Sequence, residues 1–167
     1  MTILALDLGT TTGFAAGTPG ALAHGSVKFQ TGRYEGGGMR YLKFRRWLRD
    51  TLIDLGGAEV TAVYYEEVRR HRGTDAAHVY GGFLSHLTEI CEAAKIPYAG
   101  VPVGTIKKHA TGSGNANKAQ MVAAVRKIGF EEVIDDNEAD AIALFFCAIS
   151  EHHPELMAIP KLDDMMA

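Results

Sequence analysis

The sequence predicts an α/β domain in which helices cover a mixed β-sheet. Its first thirty residues read as three short apolar segments punctuated by glycine and proline turns. Two more strand-like runs, 60–66 and 98–101, alternate with stretches in which apolar residues recur at helical spacing. The last third is helical in period and broken by glycines.

Residues 3–8 (ILALDL) form an apolar run that ends at a Gly-Thr-Thr-Thr-Gly turn. Segments 13–18 and 21–30 follow, separated by Gly17 and Pro19-Gly20, and the three together predict an antiparallel meander. Beyond Gly36-Gly37-Gly38, the residues Tyr41, Phe44, Leu48, Leu52 and Leu55 form a helical stripe that Gly56-Gly57 ends, with a basic face opposite. Residues 60–66 (VTAVYYE) are β-branched and aromatic, as a buried strand requires, and they run into a basic loop, RRHRGT. A helix over 75–94 buries Phe83, Leu87, Ile90 and Ala94, and Pro97 closes it before the short strand 98–101. A short helix at 103–110, a glycine-rich loop at 111–116 and a helix at 118–128 follow. The helix near 137–150 opens on acids and continues as AIALFFCAI, apolar nearly all round and therefore buried. Residues 1–150 are expected to be one domain, and 151–167 an acidic, loosely held C-terminal tail.

A chain of 167 residues can bury a real core, and 47% hydrophobic with 22% charged residues excludes disorder, collagen repeats and a coiled-coil rod. No apolar run approaches the roughly 20 residues of a membrane span. The opening MTILALDLGT lacks a basic leader and a cleavage site, so a cytoplasmic location and no membrane partner are expected. Cys91 and Cys147 sit inside apolar helical patterns and are expected to be buried free thiols.

The net charge of −3 conceals a split. Residues 1–130 carry 16 basic against 10 acidic side chains, whereas 131–167 carry one against ten. Within 28–49 there are seven bases and a single acid, Glu35. This asymmetry suggests an anion-facing surface beside an acidic segment.

Three carboxylates stand where the patterning predicts core. Asp7 interrupts the first strand, Glu66 with Glu67 ends the fourth, and Asp140 opens the most apolar helix. A buried ionised carboxylate costs several kcal/mol unless a cation or a metal compensates it, so three at element ends suggest one shared site. Hard oxygen ligands of this kind suit Mg²⁺ or Mn²⁺. Each acid also has a simpler use. Asp7 can cap its turn, Glu66 can pair with Arg69 or Arg70, and Asp140 can complement the helix dipole. Helical spacing allows Asp136 or Asn137 to accompany Asp140 and turns Glu138 elsewhere. Asp135, Asp136 and Asn137 are all also good N-caps.

Taken together, Asp7 in ALDLGTTTGFA, Glu66 in VYYEEV, the segment VGTIKKHATGSGNANKAQM and NEADAIALFF resemble the RuvC family of Holliday junction resolvases, particularly its phage-type members. The resemblance spans about residues 3–150 and keeps the motif order. It implies a ribonuclease H-like fold with a five-stranded sheet, a homodimer, and Mg²⁺-dependent paired nicking of four-way DNA junctions, with Mn²⁺ able to substitute and no small-molecule cofactor. By motif, Asp7, Glu66 and Asp140 are the implied metal-binding catalytic acids, with Asp136 as the fourth. Two departures stand out. Bacterial members carry two aspartates three apart on the last helix, and here Asn137 holds the earlier position, leaving the fourth ligand between Asp136 and Asn137. Arg69 stands where those members place a phenylalanine that wedges into the junction.

The basic residues suit the same substrate on their own chemistry. Lys107, Lys108 and Lys118 flank a loop containing Gly112 and Gly114, where backbone N–H groups can approach phosphates. Arg69, Arg70, His71 and Arg72 directly follow the proposed catalytic strand. A solvated basic loop is the plainer account of them. The rival functions are an ATP-binding module of the sugar kinase, actin and heat-shock ATPase superfamily, suggested by DLGTTTG, a different nuclease on the same fold, and a DNA-binding protein without catalysis.

Overall fold

The computed structural model describes residues 1–70 and 73–157. Its first strand, β1 (Thr2–Asp7), is apolar on both faces because it lies at the centre of the sheet, with Ile3 to Leu6 fully buried. β2 (Thr11–Thr18) returns antiparallel to β1, and β3 (Ala21–Lys28) pairs antiparallel with β2 at the edge. This is the expected meander. On the other side of β1 the pairing becomes parallel, through β4 (Val60–Glu67) and then β5 (Tyr98–Pro102), giving the order β3-β2-β1-β4-β5. Parallel neighbours require crossovers, and α1 (Met39–Asp54) and α2 (Thr74–Ala94) supply them.

Alternation along β1 sorts the core into two layers. Leu4 and Leu6 face α1 and α2, where Phe44 and Phe83 stack with centroids 4.2 Å apart. Ile3 and Ala5 face the opposite layer of α3 (Val103–Thr111), α4 (Lys118–Lys127) and α5 (Asp136–His152). α5 buries residues on every side of its middle turns, as its sequence requires, because it lies against the sheet with α3 and α4 packed on it. Each predicted strand and helix forms within a few residues of its expected bounds.

Residues 151–157 of the expected tail lie among the described residues. α5 runs to His152, Tyr64 and His153 share a hydrogen bond of 2.9 Å, and Leu156 packs against the core. The apolar and aromatic groups in 152–156 give this stretch something to hold. The rest of the expected tail, from residue 158, lies outside the described residues. Cys91 and Cys147 are buried and unbridged, and burial pushes both thiols up to about 11. Among the described residues no helix is long and apolar enough to cross a membrane.

Candidate active site

Strand periodicity already aims two of the acids. Asp7 follows Ile3 and Ala5 at two-residue spacing, and Glu66 follows Ala62 and Tyr64, so both carboxylates face the α5 layer. Parallel pairing of Leu6 with Tyr65 sets Asp7 and Glu66 side by side at one end of the sheet. Tyr80 of α2 secures that end of β4: its hydroxyl donates to the Glu66 carbonyl at 2.9 Å and accepts from the Val68 N–H at 3.3 Å.

The first turn of α5 brings the remaining acids over this end. It comes close because β2 has no side chain at Gly13, where an added Cβ would stand 1.9 Å from the Asn137 carbonyl oxygen. Three further contacts tie the turn down. Asp135 caps the helix by accepting from the Asn137 N–H at 2.9 Å, Ser26 of β3 donates to the other Asp135 oxygen, and His24 Nδ1 lies 2.6 Å from Glu138 Oε1. Glu138 thus points away from Asp140, as its spacing predicts.

The candidate acids act on one another electrostatically. Burial raises the Asp7 carboxyl well above its usual range, and the charges of Glu66, Asp140 and Asp136 raise it further, against the pull of Lys118. Glu66 is raised to about 7 by burial and by Asp140, with Lys107 opposing. Burial raises Asp140 to about 6, with Lys107 and Lys118 opposing and Asp136 and Asp135 reinforcing. Asp136 joins the group through an ion pair with Lys118. The Asn137 side-chain amide donates to Asp135 Oδ1 at 2.9 Å.

The expected basic residues divide. Lys107 of α3 is half-buried beside Glu66 and Asp140, and Lys118 opens α4 against Asp136. Lys108, one residue on, is exposed and lines a shallow depression with Pro102, Gly104, Thr105, His109 and Glu151. Successive helical residues diverge by about 100°, so Lys107 and Lys108 cannot serve one point. Arg69 is exposed and lies 3.5 Å from Glu67, and Arg70 is exposed. His71 and Arg72 lie outside the described residues.

These donors fit a hard divalent cation by charge and type. Carboxylates held above their usual range by burial and mutual repulsion carry an unmet demand for positive charge, which two lysines answer only in part. Among the described residues no group of three or more His, Cys, Asp or Glu is already arranged to hold a metal ion. The fit is therefore one of charge and donor chemistry and does not extend to a preformed cage.

No family model matches the chain, and no curated protein matches it. Solved structures do. Thermus thermophilus RuvC in complex with a Holliday junction substrate superposes with a TM-score of 0.76 at 20% identity, covering 93% of this chain and 97% of that one. The Thermus thermophilus RuvC structure gives 0.72 at 23% identity, over 90% and 96% of the two chains. The yeast mitochondrial Holliday junction resolvase Ydc2 gives 0.61 at 13%, over 93% and 82%. The fold is ribonuclease H-like.

In this ribonuclease H-like sheet the residues hidden from sequence reading are those that seat the acids. Gly13 reads as a turn glycine, whereas its use is the close approach of α5. Gly13→Ala is expected to displace the first turn of α5. The Asp7, Glu66 and Asp140 titrations should then fall back toward ordinary carboxylate values in NMR, with a stability loss of about 2 kcal/mol from overpacking. Unchanged titrations in a folded variant would contradict the role given to Gly13. Tyr80, His24 and Ser26 had no motif to betray them, because each acts on a partner far away in sequence.

Proposed function

We propose that this chain is a Mg²⁺- or Mn²⁺-dependent endonuclease that resolves four-way DNA junctions by paired nicks and works as a homodimer. The convergence of Asp7, Glu66, Asp140 and Asp136 at one sheet end, with Lys107 and Lys118 beside them, carries the reading. Support for the substrate comes from the extent of the likeness, over 93% of this chain, to a protein solved with a Holliday junction. Placement among the phage-type members rests on the quoted motifs.

Asp7, Glu66, Asp140 and Asp136 would hold the metal, Asp136 in preference to Asn137 because it brings a negative charge. A divalent ion bound there supplies an activated water and stabilises the leaving oxygen of a phosphodiester. The chain's own contribution is to position and to neutralise. The end of β4, fixed by Tyr80, orients Glu66, and the tethered first turn of α5 orients Asp140. Lys107 and Lys118 offset phosphate charge at the same place, and Lys118 is free to leave Asp136 for a phosphate because the lysine is otherwise exposed. One chain carries one set of acids. Two symmetric nicks therefore call for two copies.

A substrate panel tests this directly. With Mg²⁺ or Mn²⁺, the protein is expected to nick a labelled four-way junction at symmetric positions in preference to flaps, plain duplex and RNA–DNA hybrid. Junction affinity should fall steeply with added salt, despite a pI of about 6.1, because the basic side chains that would meet the phosphates release counterions on binding. Cleavage of hybrid in preference to the junction, or stabilisation by ATP without any nicking, would overturn the reading.

A further inference from the structure

The connection between β3 and α1 carries a side chain with no cover. Tyr34 is 92% exposed, while every other Phe, Tyr and Trp in the chain is buried or partly buried. A tyrosine ring left in water forgoes the burial that stabilises the other aromatics.

Tyr34 is held out by a pinned turn. The Glu35 N–H donates to the Gly32 carbonyl at 3.1 Å, closing a four-residue turn with Arg33 and Tyr34 at its centre. The Gly32 N–H donates to Glu35 Oε2 at 2.7 Å, and Lys43 of α1 reaches the same carboxylate oxygen at 2.6 Å and the Gln30 carbonyl at 3.2 Å. Upstream, Phe29 is buried against Phe44 and Phe83, and its N–H donates to the Thr10 carbonyl at 2.7 Å. Downstream, the Met39 N–H donates to the Gly36 carbonyl at 3.0 Å as α1 begins. The Arg33 guanidinium lies 5.6 Å from the Tyr34 ring centroid. The turn thus presents an aromatic ring and a cation together.

Its place in the sheet matters as much as its chemistry. Lys28, the last residue of β3, pairs with Thr11, which opens β2 just past the turn that follows Asp7. The connection therefore leaves the sheet at the end that bears Asp7 and Glu66. β3 is two strands from β1, roughly 10 Å at ordinary strand spacing. Its neighbours Lys28, Arg33, Arg40 and Lys43 are basic, and the one nearby acid, Glu35, is paired with Lys43. That charge favours a nucleic acid over an acid-poor protein surface as the partner.

We propose that the Gly32–Glu35 turn presents Tyr34 as a stacking platform for an unpaired or unstacked base, with Arg33 neutralising the adjoining phosphate. A base offers a π-face whatever its identity, so this contact selects for exposed bases and against closed duplex. The proposal rests on the nuclease reading above and names the feature of the DNA that the site would recognise.

The test uses the full chain in EDTA, so that binding is read without nicking, on a four-way junction carrying 2-aminopurine at its crossover and on the matching duplex. Wild-type protein should change the 2-aminopurine fluorescence. Tyr34→Ala should weaken junction binding about tenfold and abolish that change, leave duplex binding within about twofold, and keep the melting temperature. Tyr34→Phe should behave as wild type, since stacking needs the ring and not the hydroxyl. Unchanged junction binding in Tyr34→Ala, equal losses on duplex, or a Tyr34→Phe defect matching that of alanine would each overturn the stacking role. A wild-type protein that does not prefer the junction in EDTA and does not nick it once Mg²⁺ or Mn²⁺ is added overturns the functional reading itself, whereas a competent wild type indistinguishable from Tyr34→Ala overturns only the platform.

Discussion

Asp7→Asn is expected to lower junction nicking by about 10³-fold or more while junction binding persists or tightens. Asp7 is the acid on which the others converge: Glu66, Asp140 and Asp136 all raise its carboxyl further, and Lys118 acts against them. Asparagine keeps the shape and removes the charge. The loss reflects the several kcal/mol that a metal contributes to charge stabilisation in such a reaction, at about 1.4 kcal/mol per tenfold. Binding moves the other way, because one fewer negative charge faces the phosphates. Nicking and gel-shift titrations on the same junction separate the two effects. Nicking within tenfold of wild type would remove Asp7 from the catalytic set, and a parallel loss of binding would make it structural.

The second large effect is on stability. Folded-state values of about 7 for Glu66 and about 6 for Asp140, with Asp7 also raised, mean that the native protein binds more protons than the unfolded chain between pH 4 and 7. Stability of the metal-free protein therefore falls as pH rises through this window, the reverse of the usual behaviour of ion-paired carboxylates. The Glu66 shift alone corresponds to about 3 kcal/mol at most, and solvent contact trims it to about 2 kcal/mol. At about 2–4 °C per kcal/mol for a chain of this size, the melting temperature in EDTA should drop by about 4–8 °C between pH 5 and pH 8. Glu66→Gln should melt higher than wild type at pH 8 in EDTA and lose most of that drop. Added Mg²⁺ or Mn²⁺ should restore wild type and do little for Glu66→Gln. A pH-independent melting temperature in EDTA would show that the carboxylates do not repel one another as described.

The element pattern was legible because each strand and helix carries its own periodicity. The apolar run through Leu6 marks a central strand, the Phe44, Leu48, Leu52 stripe marks one covering helix, and AIALFFCAI marks a helix enclosed on every side. The three candidate acids stand out in the sequence for a related reason, since a carboxylate ending an apolar element is locally anomalous whatever surrounds it. Alternation even predicts their common face, as Asp7 follows Ala5 and Glu66 follows Tyr64 at the spacing of two.

Other features emerged only once distant segments met. Asp136 and Asn137 are equal candidates on helical spacing, and only the folded chain gives them different partners, the Asn137 amide donating to Asp135 while Asp136 meets Lys118. Lys107 and Lys118 separate from Lys108 because helix direction, and not sequence proximity, decides which ammonium reaches the acids. The seats of the site, Gly13 under α5, Tyr80 on β4 and Ser26 with His24 on the first turn of α5, join residues from 14 to 124 positions apart in the chain. Periodicity records how a segment meets its own layer. A hydrogen bond or a close approach between two layers leaves no periodic trace, so the acids could be picked out by their anomaly while the contacts that aim them had to await the folded chain.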